Sequence, residues 1–242
     1  MTGAFSGPLA ALGVFGDALE YIFEGGQAKT AGGDVGGLDE ILSLTATHLE
    51  LTALAMGLGI MIALPAGVLL GHYNRGELAA IAIGNAGRAV PELAIIAFLA
   101  VAIGVGLRNV TIALAILAIP PILTNSFVAV RQVDPGAVQA ARGVGMTTRE
   151  VITKVELPLA VPTIMSGIRT STINVVATAT LGPLAGVLTL GDLILRPGVI
   201  GQTGVVAGAI CVAVLALTLE LALAGVQRAL TPAGLRLTRA AA

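Results

Sequence analysis

Apolar segments of membrane-spanning length alternate with short polar segments along most of this chain. A transmembrane helix needs about 20 mostly apolar residues, and five segments meet that length: residues 49–70, 78–105, 110–130, 160–181 and 204–226. Arg88 and Glu92 interrupt the second segment, where Pro91 can bend the helix. Pro120 and Pro121 predict a kink in the third segment. The pattern therefore predicts an all-α integral membrane protein with five transmembrane helices.

Ahead of these segments, residues 8–23 have an amphipathic helical pattern. Apolar side chains recur there at helical spacing, and acidic side chains share another face. The apolar positions are Leu12, Phe15, Leu19, Ile22 and Phe23, and the acidic ones are Asp17, Glu20 and Glu24. We predict a helix that lies on the membrane surface, with a sixth short span as the alternative. A glycine-rich connector follows over residues 25–37.

The predicted organisation has three parts: residues 1–46 form the surface helix and connector, 47–227 the transmembrane domain, and 228–242 a tail. Composition agrees with lipid as the solvent, because 56% of the 242 residues are hydrophobic and 11% are charged. A soluble domain has about 25% charged residues. The net charge of −1 gives no reason to expect nucleic acid. Cys211 is the single cysteine, which excludes an internal disulfide.

The positions of lysine and arginine predict the orientation of the chain. With the loop after the third span in the cytoplasm, eight of these side chains lie inside: Arg75, Arg131, Arg142, Arg149, Lys154, Arg228, Arg236 and Arg239. Three lie outside: Lys29, Arg108 and Arg196. The sequence therefore predicts a multi-pass protein of the plasma (inner) membrane, with the N-terminus outside and the tail in the cytoplasm.

The loop between the third and fourth spans carries much of the charge of the chain. Asp134 followed by Pro135 predicts the start of a helix, and Gly145 predicts its end. The threonine pair at 147–148 predicts the cap of a second helix, which is expected to stop near Pro158. The two short helices would meet at a glycine elbow and offer a docking knob to a cytoplasmic partner. The first helix carries a small apolar face: Val138, Ala141 and Val144.

This loop, QAARGVGMTTREVITKVELP at residues 139–158, resembles the EAA signature of ABC importer permeases. That signature reads Glu-Ala-Ala, three residues, glycine, nine residues, isoleucine, any residue and Leu-Pro. Gln139 stands in place of the glutamate and Val155 in place of the isoleucine. The resemblance implies a coupling loop over residues 134–158 whose helix inserts into a cleft of a separate ATPase. It assigns coupling to Gln139, Ala140, Ala141, Gly143, Gly145, Leu157 and Pro158.

Residues 84–95, 133–146 and 178–194 are similar to one branch of these permeases, which carries quaternary-ammonium osmoprotectants such as glycine betaine, choline and carnitine. The resemblance covers about residues 47–195 and implies the MetI-like permease architecture. It also implies the partners: a pair of cytoplasmic ABC ATPase subunits, a second permease copy (identical or paralogous) and an extracytoplasmic substrate-binding protein.

No GxxxxGK[ST] phosphate loop occurs in the sequence. We therefore expect no cofactor on this chain, and ATP and Mg²⁺ on the partner ATPase. His48 and His72 lie far apart, and no nucleophile–base pair is evident, which predicts neither a metal site nor catalysis. Aromatic residues make up 3% of the chain, and a tight site for a quaternary ammonium needs clustered aromatic rings. We expect the binding protein to recognise the cargo and the permease to contact it weakly.

Polar side chains inside the predicted spans are candidates for the transport pathway or its gate. The set is Arg88, Glu92, Thr124, Asn125, Thr170, Asn174 and Thr178. Arg88 and Glu92 are four residues apart and can pair, and Thr170, Asn174 and Thr178 form a stripe on one helix. Hydroxyl and amide groups also join membrane helices by hydrogen bonds, so both interpretations stay open. For Arg169 we expect a structural partner.

Three alternative functions are weighed against an osmoprotectant permease. The first is a permease of the same architecture for another small solute, such as an amino acid. The second is a secondary transporter with Arg88, Glu92 and Glu220 as an ion relay, but no inverted repeat is visible and the docking loop is left unexplained. The third is a membrane-embedded enzyme, for which no catalytic constellation is found.

Overall fold

The computed structural model describes residues 8–29, 34–78, 80, 82–84, 90–232 and 234, and they form an almost wholly helical protein. The helices are α1 (Pro8–Phe23), α2 (Gly37–His72), α3 (Glu92–Ile103), α4 (Leu107–Arg131), α5 (Pro135–Gly143), α6 (Thr148–Val151), α7 (Leu157–Ala179), α8 (Gly191–Leu195) and α9 (Pro197–Leu230). A π-helical turn (Ile152–Glu156) joins α6 to α7, and a 3₁₀ turn (Gly182–Ala185) follows α7. The strands β1 (Gly26–Gln27) and β2 (Asp34–Val35) pair antiparallel. The predicted all-α class is confirmed.

Within the described ranges, four helical segments are long and apolar enough to cross a membrane: Gly37–His72, Leu107–Arg131, Thr148–Ala179 and Pro197–Leu230. They contain the first, third and fifth predicted spans, and the fourth span except for its last two residues. The helix α2 begins well before the predicted residue 49, because Asp39 and Glu40 suit the first turn of a helix. The Glu40 carboxylate also accepts a hydrogen bond from the Gly36 backbone N–H at 2.6 Å.

The predicted helix over residues 78–105 is interrupted. Residues 77, 78, 80 and 82–84 are helical, but α3 begins only at Glu92, after Pro91 in an extended conformation. Proline lacks an N–H group and disfavours helical backbone in the residue before it. The 12 residues of α3 reach about 18 Å, whereas the hydrocarbon core measures about 30 Å. The bend expected at Pro91 is thus a break in the helix, and a fifth crossing stays a prediction.

Small residues bring α2 and α4 into close contact. A Cβ atom added at Gly67 would lie 2.7 Å from the Leu123 carbonyl oxygen, and one at Gly71 would lie 2.8 Å from the Phe127 carbonyl oxygen. Neither position has room for a side chain. Membrane helices are typically joined in this way, since lipid provides no hydrophobic force between them and close packing must supply the attraction.

The helix α4 also packs against α7. A Cβ atom at Gly167 would lie 2.9 Å from the Pro121 carbonyl oxygen, and the Ser171 hydroxyl donates a hydrogen bond to the Ala118 carbonyl at 2.7 Å. The centre of the bundle is therefore α4, with α2 and α7 packed on it. It is the most buried of the four long helices.

The N-terminal helix α1 has the predicted bounds, but its apolar residues face two ways. The buried ones are Ala18, Tyr21 and Ile22, and the exposed large ones are Phe15, Leu19 and Phe23. The buried set packs with residues of α2 and α9. Ile22, which we predicted on the same apolar face as Phe15 and Leu19, therefore packs inside the protein instead. Burial, assisted by the Glu40 carboxylate, raises the pKa of Tyr21 to about 12, which keeps the phenol neutral. A position on the membrane surface stays a prediction.

Candidate functional site

The helix α5 begins at a complete cap. The Asp134 carboxylate accepts a hydrogen bond from the Gly136 N–H at 3.0 Å, and Pro135 occupies the first turn, where its missing N–H is not needed. The helix ends at Gly143, and Gly145 has a φ of +88°, which residues with side chains rarely adopt. The predicted cap and glycine elbow are confirmed.

The second helix of the loop begins with a capping box. The Thr147 N–H donates to the Glu150 carboxylate at 3.0 Å, and the Thr147 hydroxyl accepts from the Glu150 N–H at 3.4 Å. Lys154 forms an exposed ion pair with the other oxygen of Glu150 at 2.8 Å. These bonds fix the start of α6 directly after the elbow.

The predicted stop near Pro158 is wrong, because α6 continues through the π-turn into α7. Pro158 lies in the first turn of α7. Just before it, the Leu157 N–H donates to the Ile152 carbonyl, five residues earlier, as a π-turn requires. The docking loop is therefore joined by unbroken helix to a membrane-spanning segment.

The outward surface of α5 differs from the predicted one. Ala141 is only 7% exposed and Val138 is half-buried, whereas Val144 is 78% exposed. Ala141 faces inward because the elbow folds back over it, and its carbonyl accepts a hydrogen bond from the Met146 N–H at 3.1 Å. Leu157 is half-buried at the start of α7. The docking face, as we define it, consists of the exposed residues Gln139, Ala140, Arg142, Gly143 and Val144.

A buried hydrogen-bonded pair joins this loop to the end of α2. The His72 Nδ1 atom lies 2.7 Å from Glu156 Oε2 and 2.9 Å from Glu156 Oε1. The two side chains are 3% and 6% exposed. No signal in the sequence pointed to this pair, because 84 residues separate its members and neither belongs to a recognisable cluster.

On α7, Thr170 and Asn174 are exposed and Thr178 is half-buried. Ser166, one helical turn earlier, is also exposed and extends the row. Sequence reasoning missed Ser166, although its spacing of four from Thr170 would have revealed it. Across the described residues, none of these four side chains has a hydrogen-bond partner. We call Ser166, Thr170, Asn174 and Thr178 the polar stripe.

Other predicted pathway residues have partners inside the protein. The Thr124 hydroxyl donates to the Ala80 carbonyl at 3.2 Å, and the Asn125 amide donates to the Pro121 carbonyl at 2.8 Å. Asn125 also faces Gly167 of α7, so both side chains lie at helix contacts. Of the remaining two candidates, Glu92 has an exposed side chain at the start of α3. Arg88 lies outside the described residues, and so the predicted pair of Arg88 and Glu92 stays a prediction.

Arg169 has the structural partner expected for it. Its guanidinium forms an ion pair with Glu220 and donates to the Gln227 side-chain oxygen at 2.6 Å. The Gln227 amide in turn donates to the Pro162 carbonyl at 3.0 Å. This network joins α7 to α9 and engages Glu220, which argues against Glu220 as an ion relay. In the described part of the chain, no three His, Cys, Asp or Glu residues are grouped to hold a metal.

Long apolar helices, a capped docking face at one end and a polar stripe on the adjoining helix define a membrane component of a transport system. The chain belongs to the family described as binding-protein-dependent transport system inner membrane component, which matches residues 55–233. The expected membership among ABC importer permeases is thereby confirmed, and the chain is a transport subunit.

Individual relatives agree with that family. The choline transport system permease protein OpuBB of Bacillus subtilis (strain 168) is 38% identical over 198 residues, which cover 81% of this chain and 91% of that protein. The carnitine transport permease protein OpuCB of Listeria monocytogenes is 40% identical over 205 residues, covering 82% and 92%. A solved structure of the MetNI methionine ABC transporter in inward-facing conformations aligns with a TM-score of 0.70 at 25% identity, covering 81% of this chain and 98% of that chain.

Proposed function

We propose that this chain is the membrane-spanning permease subunit of an ATP-driven importer for quaternary-ammonium osmoprotectants, such as choline, glycine betaine or carnitine. The observation that carries the proposal is the continuous helix that begins at Thr148, directly after the elbow beside the docking face, and runs through α6 and the π-turn into α7, the helix that bears the polar stripe. Relatives named for choline and carnitine support this cargo. The methionine transporter structure supports the alternative, a permease for another small solute such as an amino acid.

The docking face is assigned to the cytoplasm, with the N-terminus outside and the tail inside. The excess of lysine and arginine on the docking side supports this orientation. A pair of ATPase subunits would receive the docking face and bind ATP and Mg²⁺. A second permease, identical or paralogous, and an extracytoplasmic substrate-binding protein complete the proposed complex.

The polar stripe is assigned to the transport pathway, where α7 meets the second permease. Hydroxyl and amide groups without partners are costly in lipid, because nothing there can hydrogen-bond to them. Water, cargo or the second permease would supply the missing bonds. Thr124 and Asn125 are assigned to helix contacts, since their donors already have acceptors. Arg88 and Glu92 stay candidates for a gate.

Reconstitution tests this function. The chain would be placed in liposomes with its ATPase, second permease and binding protein, and uptake of radiolabelled choline, glycine betaine, carnitine and methionine would be measured with and without ATP. We expect ATP-dependent uptake of at least one quaternary ammonium. Uptake of methionine alone would assign another cargo. Accumulation by this chain alone, driven by a sodium or proton gradient, would identify a secondary transporter.

A further inference from the structure

The docking loop is connected to the bundle in two ways. The first is the continuous helix through the π-turn into α7, and the second is the buried pair of His72 and Glu156. We propose that this pair is a positioning device: it fixes the π-turn against the end of α2, so that a displacement of α5 is passed to α2 as well as to α7. The fixing of the π-turn is independent of the proposed function. Only the source of the displacement, an ATPase that moves α5, rests on it.

The geometry of the pair suits a directional link. Both carboxylate oxygens of Glu156 lie within 2.9 Å of one ring nitrogen of His72. The imidazole ring also contacts the Tyr73 ring edge-on, with 5.0 Å between centroids, which limits its rotation. His72 is the last residue of α2 and Glu156 the last residue of the π-turn, so the bond joins two helical elements at their ends.

The π-turn that carries Glu156 packs against an apolar cluster. Ile152 begins the π-turn and Leu157 follows it, and both pack with the buried cluster around Val68 and Ile164. Two apolar side chains would avoid the cost of burying a carboxylate and an imidazole, and a buried polar pair is weak evidence for stability. A hydrogen bond differs from an apolar contact in that it fixes direction and register.

The π-turn is the element whose register needs fixing. Turns of this kind are rare, have i→i+5 bonds and occur often at functional sites. Relaxation to the α-helical register would rotate Glu156 relative to α2 and break its bond to His72. The pair and the π-turn therefore stabilise each other, and a loop without the pair could absorb a displacement of α5 by changing register.

Spin-label distances test whether the pair fixes the loop. Labels would be placed on the purified full chain by Arg75→Cys and Arg149→Cys, both exposed positions, after Cys211→Ser. Glu156→Gln keeps an acceptor for the His72 N–H. Two broken-pair variants remove the bond: the double variant His72→Leu with Glu156→Met, and the single variant Glu156→Met. We expect one narrow distance distribution for the parent and for Glu156→Gln. A broadened or second distribution is expected for both broken-pair variants. The double variant should melt close to the parent, and Glu156→Met alone at a lower temperature, because it leaves the buried His72 ring without a partner.

Two broken-pair variants are compared so that misfolding of one leaves the other to decide. A narrow, parent-like distribution in a folded broken-pair variant would overturn the proposal. So would a distribution that broadens equally in Glu156→Gln, because the directional bond is kept there.

The coupling role is tested by the number of substrate molecules imported per ATP hydrolysed in the reconstituted complex, with choline, glycine betaine and carnitine as probes. We expect the broken-pair variants to hydrolyse ATP at the parent rate but to import at least about fivefold fewer substrate molecules per ATP. Glu156→Gln should match the parent. Glu150→Gln is the matched control, because its amide oxygen keeps the capping box with Thr147 while the exposed ion pair with Lys154 in the same loop is lost, and it should leave the ratio unchanged.

A parent-like ratio in folded broken-pair variants would overturn the coupling role. If the parent complex itself neither hydrolyses ATP nor imports any probe, the proposed function fails, and the spin-label result still decides whether the pair fixes the loop.

Discussion

At the scale of single residues, Asn174 is the most direct test of the pathway assignment. Its amide is exposed and unpaired, so Asn174→Ala removes no bond from the fold. We expect the maximal uptake rate to fall about fivefold, which corresponds to one hydrogen bond of about 1 kcal/mol to the passing cargo. The concentration at half-maximal uptake should stay unchanged, since the binding protein sets it.

Asn125→Ala is the matched control for this experiment, because the Asn125 amide is bonded to the Pro121 carbonyl. It should lower the melting temperature more than Asn174→Ala does. Uptake kinetics and thermal unfolding, measured on both variants, separate the two roles. A lowered melting temperature with an unchanged rate in Asn174→Ala would place that residue among the helix contacts.

Val144 offers the corresponding test of the docking face. It is 78% exposed, so Val144→Arg should leave folding intact. In a close interface with an ATPase, the added charge would be desolvated without a partner, which disfavours association. We expect the ATPase to be lost when the complex is purified in mild detergent. Ala141→Arg, at an inward position, should instead lower the melting temperature. Co-purification of a normal complex with Val144→Arg would contradict the docking face.

At the scale of secondary-structure elements, the contact of α2 with α4 is sensitive to a single methyl group. In Gly67→Ala the new Cβ atom would lie 2.7 Å from the Leu123 carbonyl oxygen, so the two helices must separate. We expect a loss of about 1–3 kcal/mol in the free energy of unfolding. Gly57→Ala, on the same helix with no atom within 4 Å of its Cβ position, is the control and should stabilise slightly. Equal melting temperatures for both variants would contradict the close packing.

Elements that depend on local sequence could be predicted, and those that depend on distant contacts could not. The cap at Asp134, the elbow at Gly145 and the bounds of α1 follow from neighbouring residues, and the structure has all three. The inward direction of Ala141 depends on how the elbow folds back, and the pair of His72 and Glu156 depends on two helix ends meeting. Hydropathy located the long helices, and the break before α3 falls at Pro91, between the charged residues Arg88 and Glu92 that interrupt the apolar segment.

At the scale of the whole molecule, α1 is an addition to the region that the family matches, which begins at residue 55. The ring of Tyr21 fits between Gly36 and Gly204, where a Cβ atom would lie 2.6 Å and 3.1 Å from its ring carbon Cζ. We expect deletion of residues 2–24 to lower the melting temperature, because α9 loses this cover, while ATP-dependent uptake persists.

Phe15→Ala is the control for the deletion, since Phe15 is exposed and its loss should leave the melting temperature in detergent unchanged. Thermal unfolding and uptake would be measured for both proteins. A deleted chain that inserts normally but has lost uptake would mean that α1 takes part in transport.

The polar stripe has a consequence for how cells make this protein. A copy that has been inserted into the membrane before it finds its second permease presents four unbonded polar side chains on α7 to lipid. That exposure is unfavourable, and destabilised proteins are degraded faster in cells. Synthesis in fixed proportion to the second permease would shorten that exposure. In a pulse-chase experiment, we expect the chain to have a shorter half-life when its partner is not expressed, and the fourfold replacement Ser166→Ala, Thr170→Val, Asn174→Leu and Thr178→Val to lengthen it.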